Sequence, residues 1–213
     1  MNADGLVNRL HWLGHDSFRL EGPPIIYFDP WKLTGQHAIA DLVLVSHEHA
    51  DHCSPEDVKR VSGPDTIIVC NAGSAEKLPG ARTVTPGERL AVAGVEIEAV
   101  RAYNTTKFRA PGIPFHPREA DHVGYIVSVD DVRIYHAGDT DHIPEMAELD
   151  CDVALLPVSG TYVMTVEEAV EAAQAISPQI VVPMHYGSGI GTGDDGIRFA
   201  ELYDGKSVLL RAE

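Results

Sequence analysis

Apolar positions in this chain follow two patterns. In stretches such as Leu10 to Leu20 and Val95 to Ala102 they recur at about every second place, the period of a strand with one buried face. In runs such as Leu42 to Val45 and Val153 to Leu156 they are continuous, as in a strand covered on both faces. Read in order, Val7 to Leu13, Ser17 to Glu21 and Ile25 to Phe28 predict an opening meander turning at Gly22-Pro23-Pro24, followed by a buried strand at Leu42 to Val45. Thr66 to Cys70, then two strands within Glu88 to Val100 joined near Ala93-Gly94, continue the series. A hairpin of His122 to Val129 and Val132 to Tyr135 crosses at Asp130-Asp131, and Val153 to Leu156, Ile180 to Met184 and Ser207 to Arg211 close the list.

Helices are marked by their ends. Ser54-Pro55-Glu56-Asp57 reads as an N-cap, a proline at the first helical position and acids in the first turn. Thr165-Val166-Glu167-Glu168 is a capping box, with Ala169, Val170, Ala173 and Ile176 at helical spacing and Pro178 as the stop. Ser74 to Leu78, Ile143 to Leu149 and Asp194 to Leu202 predict shorter helices. Between Tyr103 and Asp121 the periodicity stops and Pro111, Pro114 and Pro117 appear; long loops in compact domains are usually functional or disordered, and an active-site loop is the reading here. Strands interleaved with helices give α/β or α+β, and residues 1–213 fit one domain.

Composition narrows the function. Hydrophobic residues at 44% and charged residues at 23% are ordinary globular values. No apolar run approaches the ~20 residues of a membrane span, and Met1 to Gly5 lacks the basic and apolar regions of a secretory signal, so a soluble cytoplasmic protein is expected. Cys53, Cys70 and Cys151 are an odd number without CxxC spacing, which argues against a disulfide framework; Cys53 reads as a small buried apolar group rather than a ligand. The net charge of −16 disfavours nucleic acid and anionic membrane as partners and leaves a small-molecule substrate; a homo-oligomer stays open.

The chemistry concentrates in Ser46-His47-Glu48-His49-Ala50-Asp51-His52, directly after the apolar run Asp41 to Val45. Imidazole nitrogens and a carboxylate oxygen are what Zn²⁺ accepts at roughly 2.0–2.2 Å. A strand-end turn can converge them, whereas a helix would spread His47, His49 and His52 around its circumference.

This HxHxDH element resembles the signature of the metallo-β-lactamase superfamily. Trp12-Leu13-Gly14-His15-Asp16-Ser17-Phe18 resembles the opening of the branch that contains L-ascorbate-6-phosphate lactonase and N-acyl phosphatidylethanolamine phospholipase D. Tyr135-His136-Ala137-Gly138-Asp139-Thr140 and Val182-Pro183-Met184-His185-Tyr186 resemble its later landmarks. The resemblance implies an α+β fold, the αββα sandwich: two mixed sheets face to face with helices on both outer faces. It implies a metal-dependent hydrolase in which His47 and His49 hold one metal, Asp51, His52 and His185 a second, and Asp139 bridges. Zinc is the expected metal, as one or two ions, with Mn²⁺, Fe²⁺ and Ni²⁺ as alternatives. Its activated hydroxide would attack a small, anionic ester, lactone or phosphodiester.

One departure is visible. Relatives usually place a histidine where this chain has Asn104, so His116 in the proline-rich loop is expected to replace it, failing which the first site is weak; His122 is the lesser candidate because it precedes a strand. Asp51, Asp139 and His116 are the residues expected in the chemistry. Asn104, Lys107, Arg109, Arg118 and Tyr162 are candidates for binding substrate, against the plain reading of the cations as solvated loop residues. His15 is either a proton donor lining the cleft or a satisfied turn histidine. His136 reads as structural, an orienter of the Asp139 loop, and His11, His37 and His142 as surface residues. A degenerate, non-catalytic metal-binding domain and a nuclease of the same superfamily are the alternatives.

Overall fold

Two six-stranded sheets carry the fold. The computed structural model describes residues 1–187 and 189–213. In spatial order the first sheet is β1 (Leu10–Gly14), β2 (Ser17–Leu20), β3 (Ile26–Phe28), β4 (Leu42–Val45), β5 (Ile67–Cys70) and β6 (Arg82–Thr83). It is antiparallel through β3 and parallel from β3 to β6. The second sheet is β14 (Ile180–Met184), β13 (Val153–Pro157), β12 (Val132–His136), β11 (Val123–Val129), β8 (Val95–Arg101) and β7 (Arg89–Val92). Here β12, β13 and β14 are parallel and the remainder antiparallel.

The alternating pattern supplies the layer between the sheets. Trp12, Phe18, Phe28 and Leu44 of the first sheet share one buried cluster with Ile97, Tyr125, Ile134 and Leu155 of the second. Each such side chain contributes about 1.5–3 kcal/mol by leaving water. The continuous runs have a second covering: Tyr27, Val43 and Val45 pack outward against Val58 and Val61 of α2 (Pro55–Val61). On the far side, α4 (Val166–Ile176) buries Ala169, Ala173 and Ile176, and α5 (Asp195–Leu202) buries Phe199. This is the expected sandwich of two mixed sheets with helices outside.

Several predicted elements change. A helix, α1 (Ala3–Val7), replaces the start of the first strand; Asn2 caps it by accepting from Gly5 N, and five residues are too few to show a helical period. The helix α3 (Ala72–Ala75) begins earlier than predicted because Asn71, not Ser74, is its cap. Pro144–Glu148 is a 3₁₀ turn rather than an α-helix. Among the described residues Ser207 to Arg211 makes a single bridge, Ser207 to Val181, and no ladder. The Tyr103 to Asp121 segment is ordered by a small hairpin, β9 (Phe108–Ala110) with β10 (Ile113–Pro114), and a 3₁₀ turn at Arg118–Ala120.

Candidate metal centre

Parallel strands end in step, and their carboxyl ends meet at one edge of the sandwich. There β4 delivers Ser46 to His52, β12 delivers Gly138 and Asp139, and β14 delivers His185, while the β1–β2 turn brings His15 and Asp16. Gly138 is required: its φ is +61°, and a Cβ would stand 3.0 Å from Ser46 Cβ and 3.2 Å from Val123 O. The absence of a side chain lets the Asp139 loop close on the histidine loop.

Four imidazoles are oriented by partners on their far nitrogens. His47 Nδ1 lies 2.9 Å from Ser46 Oγ, His52 Nδ1 2.8 Å from Asp29 Oδ2, His116 Nδ1 2.8 Å from Asn104 Oδ1 and His185 Nδ1 2.9 Å from Ser159 Oγ. Asp29 and the Asn104 carbonyl can only accept, and Ser46 has given its own proton to Asp29 at 2.6 Å. Nδ1 of His47, His52 and His116 therefore carries a proton and Nε2 faces inward, the arrangement that orients histidine toward a metal.

The inward atoms form two adjoining groups. In the first, His49 Nδ1 lies 3.0 Å from His47 Nε2 and 3.2 Å from His116 Nε2, and His116 Nε2 lies 3.2 Å from Asp139 Oδ2. In the second, His52 Nε2 and His185 Nε2 each lie 3.3 Å from Asp139 Oδ1. A tetrahedral ion with bonds of roughly 2.0–2.1 Å separates its ligand atoms by about 3.3–3.4 Å, so both groups fit one. His52 Nε2, His185 Nε2, Asp139 Oδ1 and both oxygens of Asp16 are buried without a hydrogen-bond partner among the described residues. Buried polar atoms are rarely left so, and a cation satisfies all of these together.

Charge is strongly coupled here. Burial works against ionisation of Asp139, but His52, His185 and His116 outweigh it and hold the carboxyl well below its usual range. Burial likewise opposes charge on His185, yet Asp139 and Asp16 push it up to about 9, and Asp139 with Asp29 raises His52 well above its ordinary value. His47 is driven well below its usual value by burial and then by His52.

The remaining expected residues divide. His116 stands in the first group, and Asn104 is hydrogen-bonded to it: the Asn104 amide donates to Asp141 Oδ1 at 3.0 Å and to Tyr162 O at 2.9 Å, and its oxygen accepts from His116 N at 2.9 Å. Lys107 is 2.5 Å from Glu168 and 3.5 Å from Asp141, and Arg118 is 2.8 Å from Glu145, so both are engaged by internal acids. Arg109 is exposed on β9, and Tyr162 is exposed beside Phe115 with ring centroids 4.6 Å apart. Asp51, expected with His52 and His185, meets within 4.0 Å no imidazole but His15's, at 3.2 Å, among the described residues. His15 is buried, with Nε2 between Asp51 Oδ2 at 3.2 Å and Asp16 Oδ2 of its own turn at 3.5 Å. His136 is structural, but its Nε2 donates to Asp16 O at 2.8 Å, steadying the opening turn instead of the Asp139 loop.

Sequence reasoning left Asp16, Asp29, Ser46 and Ser159 without roles, although each lies at a strand end or in a quoted motif. It also ranked His122 last. The strand it precedes starts beside the site, and His122 offers a ligand nitrogen within 4.8 Å of those of His47 and His116 while its Nε2 is 3.2 Å from Glu48 Oε1.

The chain is similar to known proteins along most of its length. Residues 9–185 match the family described as "Beta-lactamase superfamily domain". A UPF0173 metal-dependent hydrolase of Pyrococcus horikoshii is 34% identical across 95% of each chain, and one of Methanoculleus marisnigri is 36% identical across 84% of this chain and 80% of its own. The crystal structure of a proposed metal-dependent hydrolase from Parabacteroides distasonis superposes with a TM-score of 0.84 at 36% identity, covering 95% of this chain and 93% of that one. Igni18, a metallo hydrolase from Ignicoccus hospitalis, shares the fold with a TM-score of 0.76 at 24% identity, over 95% and 94% of the two chains.

Proposed function

This chain belongs to the beta-lactamase superfamily, alongside the UPF0173 metal-dependent hydrolases, and from that premise we propose that it is a hydrolase of a small substrate, holding one or two zinc ions. The observation that carries the reading is the convergence of tautomer-fixed imidazoles from His47, His52 and His116 on Asp139, with His185 from a fourth direction. His47, His49 and His116 would hold one ion and His52 and His185 the other, with Asp139 shared. A bound divalent ion supplies Lewis acidity and lowers the pKa of water toward neutrality.

The chain's own residues do the rest. Asp51 Oδ2 accepts from His15 Nε2, and Asp51 is partly open to solvent, so the pair holds a proton where a leaving group can receive it. With Lys107 and Arg118 engaged internally, Arg109 is, among the described residues, the loop cation without an acidic partner and so available to an anionic substrate, beside exposed Phe108, Ile113 and Tyr162. A mixed rim of this kind suits a lactone, ester or phosphodiester with an apolar body and one anionic end.

A non-catalytic binding domain is the alternative that Asn104 suggests, and His116 beside His49 supports the hydrolase over it. The test is metal analysis of the purified protein with a screen of lactones, esters and phosphodiesters in the presence of Zn²⁺, Mn²⁺, Fe²⁺ or Ni²⁺. Turnover abolished by a chelator and restored by one of these ions supports the hydrolase. Two bound ions without turnover of any class would return the chain to the binding-domain reading.

A further inference from the structure

Asp16 is fully buried, and neither carboxylate oxygen has a hydrogen-bond partner among the described residues. Asp29, by contrast, receives Ser46 N, Ser46 Oγ and His52 Nδ1, Asp141 receives Thr105 N and Thr106 N, and Asp139 has His116 Nε2 at 3.2 Å from one of its oxygens. A carboxylate buried alone is strongly unfavourable unless a positive partner faces it. Asp16 Oδ2 instead lies 3.5 Å from His15 Nε2, 3.8 Å from His52 Nε2 and 3.8 Å from His185 Nε2. Those of His52 and His185 are themselves without hydrogen-bond partners.

We propose that Asp16, and not Asp51, supplies the carboxylate that closes the second metal position with His52, His185 and Asp139. The inference rests on the metal-binding reading above and departs from it in one ligand. Asp51 reaches only His15 within 4.0 Å among the described residues and is 32% exposed, whereas Asp16 faces both second-site imidazoles from a closed interior. The Asp16 turn is also fixed to the site. Trp12 Nε1 donates to His15 O at 2.9 Å, His185 N donates to the same oxygen at 3.1 Å, and His136 Nε2 donates to Asp16 O at 2.8 Å. The backbone of one imidazole ligand is thus tied directly to the turn that carries the carboxylate.

The test uses the full chain, stripped with a chelator and reloaded with Zn²⁺, as wild type, Asp16→Asn, Asp16→Ala and Asp51→Ala. Ions per chain are counted by mass spectrometry, and melting is followed with and without zinc. Asp16→Asn should bind the second ion at least about tenfold more weakly. It should also gain less stability than wild type on adding zinc; a merely structural role would shift the melting temperature equally in chelator and in zinc. Asp51→Ala should keep both ions. Asp16→Asn holding two ions at wild-type affinity overturns the inference, and loss of the second ion in both Asp16→Asn and Asp51→Ala overturns the exclusion of Asp51. If Asp16→Ala fails to fold, the isosteric Asp16→Asn decides. A wild type that takes up no second ion rejects the two-ion reading and this inference together, whereas two ions in wild type and in Asp16→Asn reject this inference alone.

Discussion

The side-chain oxygen of Asn104 accepts two hydrogen bonds from His116, from the backbone N at 2.9 Å and the ring Nδ1 at 2.8 Å. Asn104 therefore aims a histidine from twelve positions later. His116→Ala should lower the zinc content from two ions to about one. Asn104→Ala should weaken the first ion by roughly 10–100-fold through loss of orientation alone. Zinc titration of both variants checks this, and an unchanged count in His116→Ala would remove it from the ligand set.

His52→Ala and His185→Ala should each lose the second ion and hydrolytic activity. Cys53→Ser should keep both, because Cys53 is buried with Val45 and Val58 and burial raises its thiol above the usual range, leaving no thiolate for a metal. Its cost is in folding, about 1–3 kcal/mol for a buried hydroxyl, read by denaturant titration beside metal analysis.

Asp141 anchors the start of the long loop. Its Oδ2 accepts from Thr105 N and Thr106 N, each at 2.7 Å, and its Oδ1 from Asn104 Nδ2 at 3.0 Å. Burial works against its charge, but the Thr106 and Thr105 hydrogen bonds hold its carboxyl below the ordinary value. Asp141→Ala should cost about 3 kcal/mol by stranding these donors. It should also weaken the first ion, since Asn104 loses its orientation. Urea unfolding and zinc affinity measured on one sample connect the two effects.

The pH dependence has a definite sign. His185 is raised to about 9 in the folded chain against about 6.5 unfolded. Its contribution to stability is complete below pH 6.5 and is lost as pH rises through 9. Chelator-treated protein should therefore melt lower at pH 9 than at pH 6.5, with His52 acting in the same direction. Zinc affinity should rise over the same interval, because the metal must displace those protons. Melting curves in chelator and in zinc across this range should diverge, and parallel curves would contradict the assignment.

Gly138→Ala should damage the site without touching a ligand. The added methyl would meet Ser46 Cβ at 3.0 Å from a left-handed backbone, pushing the Asp139 loop away from β4 at a cost of about 1–3 kcal/mol. Metal content should fall more steeply than the melting temperature.

The histidines after β4, Asp139 and His185 were legible in the sequence because each follows an apolar run whose end marks the end of a strand. His116 was legible only as a chemical substitute for Asn104. Their pairing depends on how the loop closes on Asp141, which no local pattern encodes. Asp16 was visible within a motif, yet its role appears only when the β1–β2 turn meets β14 of the other sheet. The place of His122 was not legible because a residue entering a strand looks structural, while here β11 starts beside His47 and His116. Ser207 to Arg211 has the apolar character of a strand, but a strand also needs a partner edge, and among the described residues the segment meets β14 at the single bridge of Ser207 to Val181.

The inward groups come from both layers: Asp16 and His47 to His52 from the first sheet, Asp139 and His185 from the second. An ion held among them works as a removable staple across the sandwich, closing loops between chain positions that lie far apart. The apolar layer already seals the middle of the molecule, so withdrawing the staple frees only this rim. Amide exchange and proteolytic nicking should accordingly begin in the segments after β4 and β14 when metal is stripped, well before the sheets themselves part.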